Sequence, residues 1–262
     1  MAEVVARALS KSFRRGDGSR LLALDSLDIH ACDGEFVCVV GPSGSGKSTT
    51  LHILAGLTEP DSGEITVSGE SARGPARFGY VFQHPRLLNW KTVRGNLYFV
   101  LAAAGVARQE WRDRADHYLE LTGLTQFSEE YPLRLSGGMQ QRVAIARALV
   151  IEPGVLLMDE PFSSLDELTA RQMRVSLLRI WQREQRTIFF VTHNALEAAY
   201  LADRVYVLSK RPATVLDVVR VDLCRPRDID DVALIPVQRR LLFTLLAQDE
   251  HEEDTADAAG RR

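Results

Sequence analysis

The chain has 262 residues, is 45% hydrophobic, and carries 32 Lys plus Arg against 35 Asp plus Glu, for a formal net charge of −3. That length and apolar content are enough for a full α/β core, and the slightly acidic balance gives no electrostatic case for nucleic acid as a partner. Cys32, Cys38 and Cys224 form no C-x-x-C pair, which argues against a disulfide framework or a zinc site and fits a reducing compartment. The N-terminus lacks the charged-then-apolar pattern of a secretory signal, and no apolar run approaches the roughly 20 residues of a spanning helix.

In chain order, the apolar run Phe36–Val40 reads as a buried strand. It leads into Gly41, Pro42, Ser43, Gly44, Ser45, Gly46, Lys47 and Ser48, and then a helix over 49–55. G-x-x-x-x-G-K-S between a strand and a helix is the context of a phosphate-binding loop. The glycines permit backbone conformations that a side chain would obstruct, so successive N–H groups can face an anion at a helix start. Lys47 is placed for the β- and γ-phosphates of a nucleoside triphosphate, and the Ser48 hydroxyl for Mg²⁺. A turn at 59–63, built on Pro60 and Gly63, precedes a strand over 64–68, and another strand follows at 79–82.

From about 92 to 150 the pattern turns helical, with helices over 111–122 and 139–150, and reads as an insert in the nucleotide-binding core. Inside it, Ser136 is a good N-cap for a helix that opens on Gly137 and Gly138. Exposed N–H groups and the helix dipole make this start a second anion site. A strand over 155–158 then delivers Asp159 and Glu160 at its C-terminal end, where open α/β sheets bind ligands. Asp159 suits Mg²⁺ and Glu160 suits a general base. Helix 167–185 carries Met173, Leu177, Ile180 and Trp181 as a core stripe. Strands over 187–191 and 205–209 follow, then an amphipathic helix over 237–248. The acidic stretch 249–262 reads as a disordered tail.

The segments around Gly41, Ser136 and Asp159 closely resemble the Walker A, signature and Walker B motifs of ABC ATPases. Further matches come in the family's order. Gln83 matches the Q-loop glutamine, Asp166 the D-loop aspartate in Ser163-Ser-Leu-Asp166, His193 the switch histidine, and Phe13 the aromatic that stacks on adenine. The resemblance covers about residues 4–209. It implies a P-loop NTPase core over 1–236, with a mostly parallel sheet, an antiparallel β subdomain and the helical insert.

It also implies a mechanism. Two such subunits, as a homodimer, sandwich two ATP molecules. Each ATP contacts Gly41–Ser48 region residues and Thr49 of one chain, and Ser136, Gly137 and Gly138 of the other. Ser48, Gln83 and Asp159 serve Mg²⁺, Glu160 activates water, His193 holds the γ-phosphate, Asp166 links the two sites, and Gln83 couples to a membrane partner. Asn194 and Ser164 depart from the family's more frequent Asp and Ala without removing a catalytic group.

The run from Gln83 through Leu87, Leu88, Asn89, Trp90 and Val93 is similar to nitrate, sulfonate and taurine importer ATPases, as is Leu208-Ser-Lys-Arg-Pro212. Leu87, Leu88 and Trp90 either dock a permease helix or belong to the core of the insert. The expectation is thus an ATPase subunit on the cytoplasmic face of a bacterial inner membrane. It would serve a separate permease and, indirectly, a periplasmic or lipid-anchored solute-binding protein. A soluble ABC ATPase acting on nucleic acid or ribosomes and a regulatory ATP-sensing module are the alternatives.

Overall fold

The computed structural model describes residues 2–68, 70–71, 74–75 and 78–259. In chain order it forms β1 Glu3–Arg14, β2 Arg20–Ala31, β3 Phe36–Val40, α1 Lys47–Leu54 and β4 Ser62–Ser68, then the two-residue strands β5 Glu70–Ser71 and β6 Gly74–Pro75. Next come β7 Phe78–Val81, α2 Val93–Ala103, α3 Trp111–Leu121, α4 Gly137–Leu149, β8 Val155–Asp159 and α5 Glu167–Glu184. The chain continues with β9 Thr187–Thr192, α6 Ala195–Leu201, β10 Arg204–Leu208, β11 Val215–Arg220 and α7 Leu234–Ala259. Two compact units result: a central one built on Ser68–Ile188, and a split one combining Glu3–Val67 with the chain from Phe189 on.

In the split unit β1 and β2 pair antiparallel, from Val4 opposite Ala31 to Arg14 opposite Arg20, and β4 flanks β1 on its other side. Neither long strand was expected from sequence. Register shifts between Ala6 and Leu9 and again before Ser12 interrupt the period-2 alternation, and Ala8 and Ser26 bend the strands with φ of 50°. The second sheet of this unit runs β11-β10-β3-β9, with β10 parallel to β3 and antiparallel to β11. Every residue of β3 and β9 is buried. Strands covered on both faces read as unbroken apolar runs, which is why both stood out in the sequence.

α7 extends past 248, through the acidic segment, to Ala259. After Pro236, which a first turn tolerates, no Pro or Gly interrupts 237–259, and Gln, Glu and Ala are strong helix formers. Arg240 anchors α7 to β11 through Asp217 at 2.9 Å. Residues 260–262 of the expected tail lie outside the described residues.

The central unit pairs β7 with β8 in parallel and packs α2 to α5 around a core that includes Leu97, Leu101, Leu119, Val143, Leu157 and Leu177. Asn96, fully buried on α2, accepts from Leu88 N–H at 2.8 Å and donates to the carbonyls of Leu88, Lys91 and Thr92. One satisfied side chain therefore fixes the 88–92 segment, since a buried amide left unpaired is costly.

Candidate active site

The split unit holds the glycine-rich loop expected to bind phosphate. β3 ends at Val40, and the chain turns through Gly41–Gly46 before α1 begins at Lys47. Gly44 and Gly46 have φ of 78° and 86°, the left-handed region that disfavours a Cβ. A Cβ on Gly46 would fall 2.6 Å from Leu24 Cδ2, and one on Gly41 2.7 Å from Ser45 Oγ. The loop is thus wound too tightly for side chains at these points. Lys47 is buried and its ammonium donates to the carbonyls of Gly41 at 2.9 Å and Pro42 at 2.8 Å, bent back across the loop mouth. Ser45 Oγ is buried without a hydrogen-bond partner, a donor available to a ligand. Ser43 and Ser48 are exposed and Thr49 is half-buried.

In the same unit, His193 is exposed on the turn between β9 and α6. That turn is tightly tied. Asn194 caps α6 by accepting from Leu196 N–H at 2.9 Å and Glu197 N–H at 3.2 Å, while its own N–H donates to Thr192 Oγ1 at 3.0 Å. Asn194 therefore does the capping that an aspartate would do at this position. Phe13, near the end of β1, leaves its ring 41% exposed, with the Lys11 ammonium 5.8 Å from the ring centroid. An exposed aromatic face of this kind can stack on a base.

The central unit assembles the second group. β8 is buried up to Met158, and Asp159 and Glu160 emerge half-buried at its end. Glu160 adopts φ of 43°, a conformation that costs a non-glycine residue on the order of 1 kcal/mol. Its carbonyl accepts from Ser163 N–H at 3.2 Å and Ser163 Oγ at 3.0 Å. Ser163 Oγ in turn accepts from Gln83 Nε2 at 3.1 Å, so the glutamine and the turn after Glu160 are joined directly. Tyr80 OH donates to Asp159 Oδ2 at 3.5 Å; burial, then the adjacent carboxylate, push its pKa up and keep the proton on the phenol.

Ser136 caps α4 by accepting from Met139 N–H at 3.3 Å. Gly138 has no space for a Cβ, which would come 2.6 Å from Thr169 Cγ2, whereas a Cβ on Gly137 meets only Leu165 Cδ2 at 3.9 Å. Asp166, exposed, caps α5 through Thr169 N–H at 3.0 Å, and that bond holds its carboxyl below the usual range. Leu87 and Leu88 are half-buried, but Trp90 is 73% exposed.

Among the described residues no cluster of three or more His, Cys, Asp or Glu side chains could hold a metal ion. Ser48, Gln83 and Asp159 supply a hydroxyl, an amide and one carboxylate. Each is an oxygen ligand of the kind a hard cation such as Mg²⁺ takes. Sequence reasoning missed Tyr80 and Arg211; the latter grips the Gly44 carbonyl, and only the proximity of strands distant in the chain reveals either contact.

The family model for "ABC transporter" matches residues 24–163. The nitrate import ATP-binding protein NrtD of Synechocystis sp. is 51% identical over 209 residues, 79% of this chain and 79% of that protein. The aliphatic sulfonates import ATP-binding protein SsuB 2 of Burkholderia cenocepacia is 42% identical over 239 residues, 90% of this chain and 86% of that protein. Among solved structures, the dimeric post-hydrolysis state of the ATP-binding cassette MJ0796 bound to ADP and Pi matches with TM-score 0.71 and 30% identity, covering 84% of this chain and all of that one.

Proposed function

The chain belongs to the ABC transporter ATP-binding family, and from that premise we propose that it is the ATP-hydrolysing subunit of an importer for a small nitrate-, sulfonate- or taurine-like solute, acting through a separate permease. Its family makes it an ABC ATPase. In the proposed assignment, the amides of the 41–48 loop and Lys47 bind the β- and γ-phosphates, and Phe13 stacks on the base. Ser48 and Asp159, with Gln83, would hold Mg²⁺, which supplies charge neutralisation at the phosphates. Glu160 takes the proton as water attacks the γ-phosphorus and the bond to the bridging oxygen breaks; His193 orients the reacting group. Ser136, Gly137 and Gly138 would act on the nucleotide of a second copy, which supports a two-chain working unit.

The observation that carries the transport part of this reading is the Gln83–Trp90 segment. An exposed indole stands seven residues from the glutamine that bonds the turn beyond Glu160, on a backbone that Asn96 holds rigid. Exposed aromatic surface on an ordered segment suits a helix docked in a groove. Among the described residues no helix is long and apolar enough to cross a membrane, so docking would supply the membrane attachment.

The test is purification of tagged Glu160→Gln protein from native membranes with Mg-ATP, alongside Glu160→Gln/Trp90→Ala. Recovery of a polytopic permease with the first and its loss with the second supports the reading. Recovery of ribosomes or DNA-bound proteins without a membrane protein overturns it in favour of a soluble ATPase role. The solute is then read by titrating nitrate and alkanesulfonates onto the binding protein that accompanies the permease.

A further inference from the structure

Arg211 reaches the phosphate-binding loop from far along the chain, and its grip there has a consequence for the ligand. Arg211 lies between β10 and β11, 167 positions from Gly44, and donates through Nε at 3.1 Å and Nη2 at 2.8 Å to the Gly44 carbonyl. Both nitrogens on one oxygen make a forked, charge-assisted grip. The carbonyl belongs to a glycine with φ of 78°, a residue that a side chain does not hold in one orientation. Because a peptide unit is planar, fixing that oxygen also fixes the Ser45 N–H on the opposite side. That N–H donates within the loop to Pro42 O at 3.2 Å.

Arg211 is itself secured at both ends of its segment. Lys210 N–H donates to Gln248 Oε1 on α7 at 2.7 Å, and Gln248 Nε2 donates back to Leu208 O at 3.4 Å. On the other side, Ala213 N–H donates to Ala23 O at 2.9 Å and Asp25 N–H to Ala213 O at 3.0 Å. Ser209 Oγ bridges the carbonyls of Lys210 and Pro212 and closes the turn. A continuous path of hydrogen bonds therefore runs from α7 through the 209–214 turn to the loop that would receive phosphate.

We infer that Arg211 is a positioning residue for ATP binding: its guanidinium holds the Gly44–Ser45 peptide in one orientation, and Gln248 of α7 holds Arg211 in place. The loop is thereby pre-organised, so the nucleotide does not have to order it on binding. The same fixed cation adds favourable potential for an anion at the loop. This inference rests on the reading of 41–48 as the phosphate-binding loop.

The test is nucleotide titration and steady-state ATPase kinetics on the full chain, with thermal melting in the absence of nucleotide. Arg211→Ala is expected to weaken ATP and ADP binding about tenfold and to raise KM by a similar factor. Its melting temperature should change little, because Arg211 is exposed. Arg211→Lys, which keeps the charge and one donor, should recover part of that loss. Gln248→Ala should weaken binding in the same direction by a smaller factor, and it serves if Arg211→Ala does not fold. Unchanged nucleotide affinity in Arg211→Ala or in Gln248→Ala overturns the inference, as does an affinity loss that appears only together with a fall in melting temperature. Lys47→Ala is the control: if it too leaves affinity unchanged, the phosphate-loop reading fails; if it alone weakens binding, only the role of Arg211 fails.

Discussion

Backbone geometry at single residues limits what the glycine-rich 41–48 loop tolerates. Gly46 sits at the N-cap of α1 with φ of 86°, and an added Cβ would press on Leu24 Cδ2 at 2.6 Å and Ala23 O at 3.2 Å. A side chain there carries the left-handed backbone penalty, a clash with the buried Leu24 side chain and a tight approach to the Ala23 carbonyl. Gly46→Ala is therefore expected to destabilise the protein by about 2 kcal/mol and to abolish nucleotide binding, read by thermal melting and nucleotide titration. A melting temperature equal to that of the wild type would show that the loop relaxes around the methyl. Glu160 is the complementary case. It holds φ of 43° without the freedom of a glycine, and the two hydrogen bonds from Ser163 to its carbonyl keep it there. The motif in the sequence named both residues, but it gave no sign of the strain at Glu160, which depends on how Ser163 folds back.

Helix caps connect site residues to stability at the scale of elements. Asn194 satisfies two N–H groups at the start of α6, next to exposed His193. Asn194→Ala should cost about 1 kcal/mol and lower turnover through the loosened histidine, while Asn194→Asp should retain the cap and leave both nearly unchanged. Denaturant melts and ATPase rates on the pair check this. At α5, the Thr169 N–H holds the Asp166 carboxyl below its ordinary pKa. The folded value is depressed, so the stabilisation is fully present above the unfolded value of about 3.9 and is lost as pH falls through the folded one. Asp166→Asn keeps an acceptor oxygen but does not titrate. Its melting temperature should therefore fall less than that of the wild type between about pH 5 and pH 3; identical acid limbs would remove the cap from the account. These caps were half legible: Ser136 was read as an N-cap from its position, whereas Asn194 and Asp166 were noticed only through motifs.

For the whole molecule, the asymmetry between Gly137 and Gly138 separates folding from assembly. Gly138 is closed off by Thr169, but a Cβ on Gly137 has ordinary room. Gly137→Glu should therefore fold and melt like the wild type while failing to form the ATP-bound pair that the Glu160→Gln background would trap. Light scattering with Mg-ATP measures this: the Glu160→Gln chain should double its mass, and the double variant should remain single. Doubling in both would mean that Gly137 does not face a second copy. The membership of the ABC family and the likeness to a dimeric cassette make this pairing the natural test of the whole assembly.

The sequence by itself determined which chemistry-bearing residues are present and their order along the chain. A glycine-rich loop between a buried strand and a helix, and acids at the end of an apolar strand, are encoded within a few residues because local backbone geometry demands them. Strands β3, β8 and β9, buried except for Asp159 at the end of β8, announced themselves as unbroken apolar runs. The tertiary structure alone decided β1 and β2, whose bulges break the alternation. It also decided the contacts that tune the site. Gln83 on Ser163 spans 80 positions, and Arg211 on Gly44 spans 167. No periodicity or spacing rule reaches over such distances; they are fixed by the packing of whole elements, which brings together residues whose local sequences carry no trace of one another.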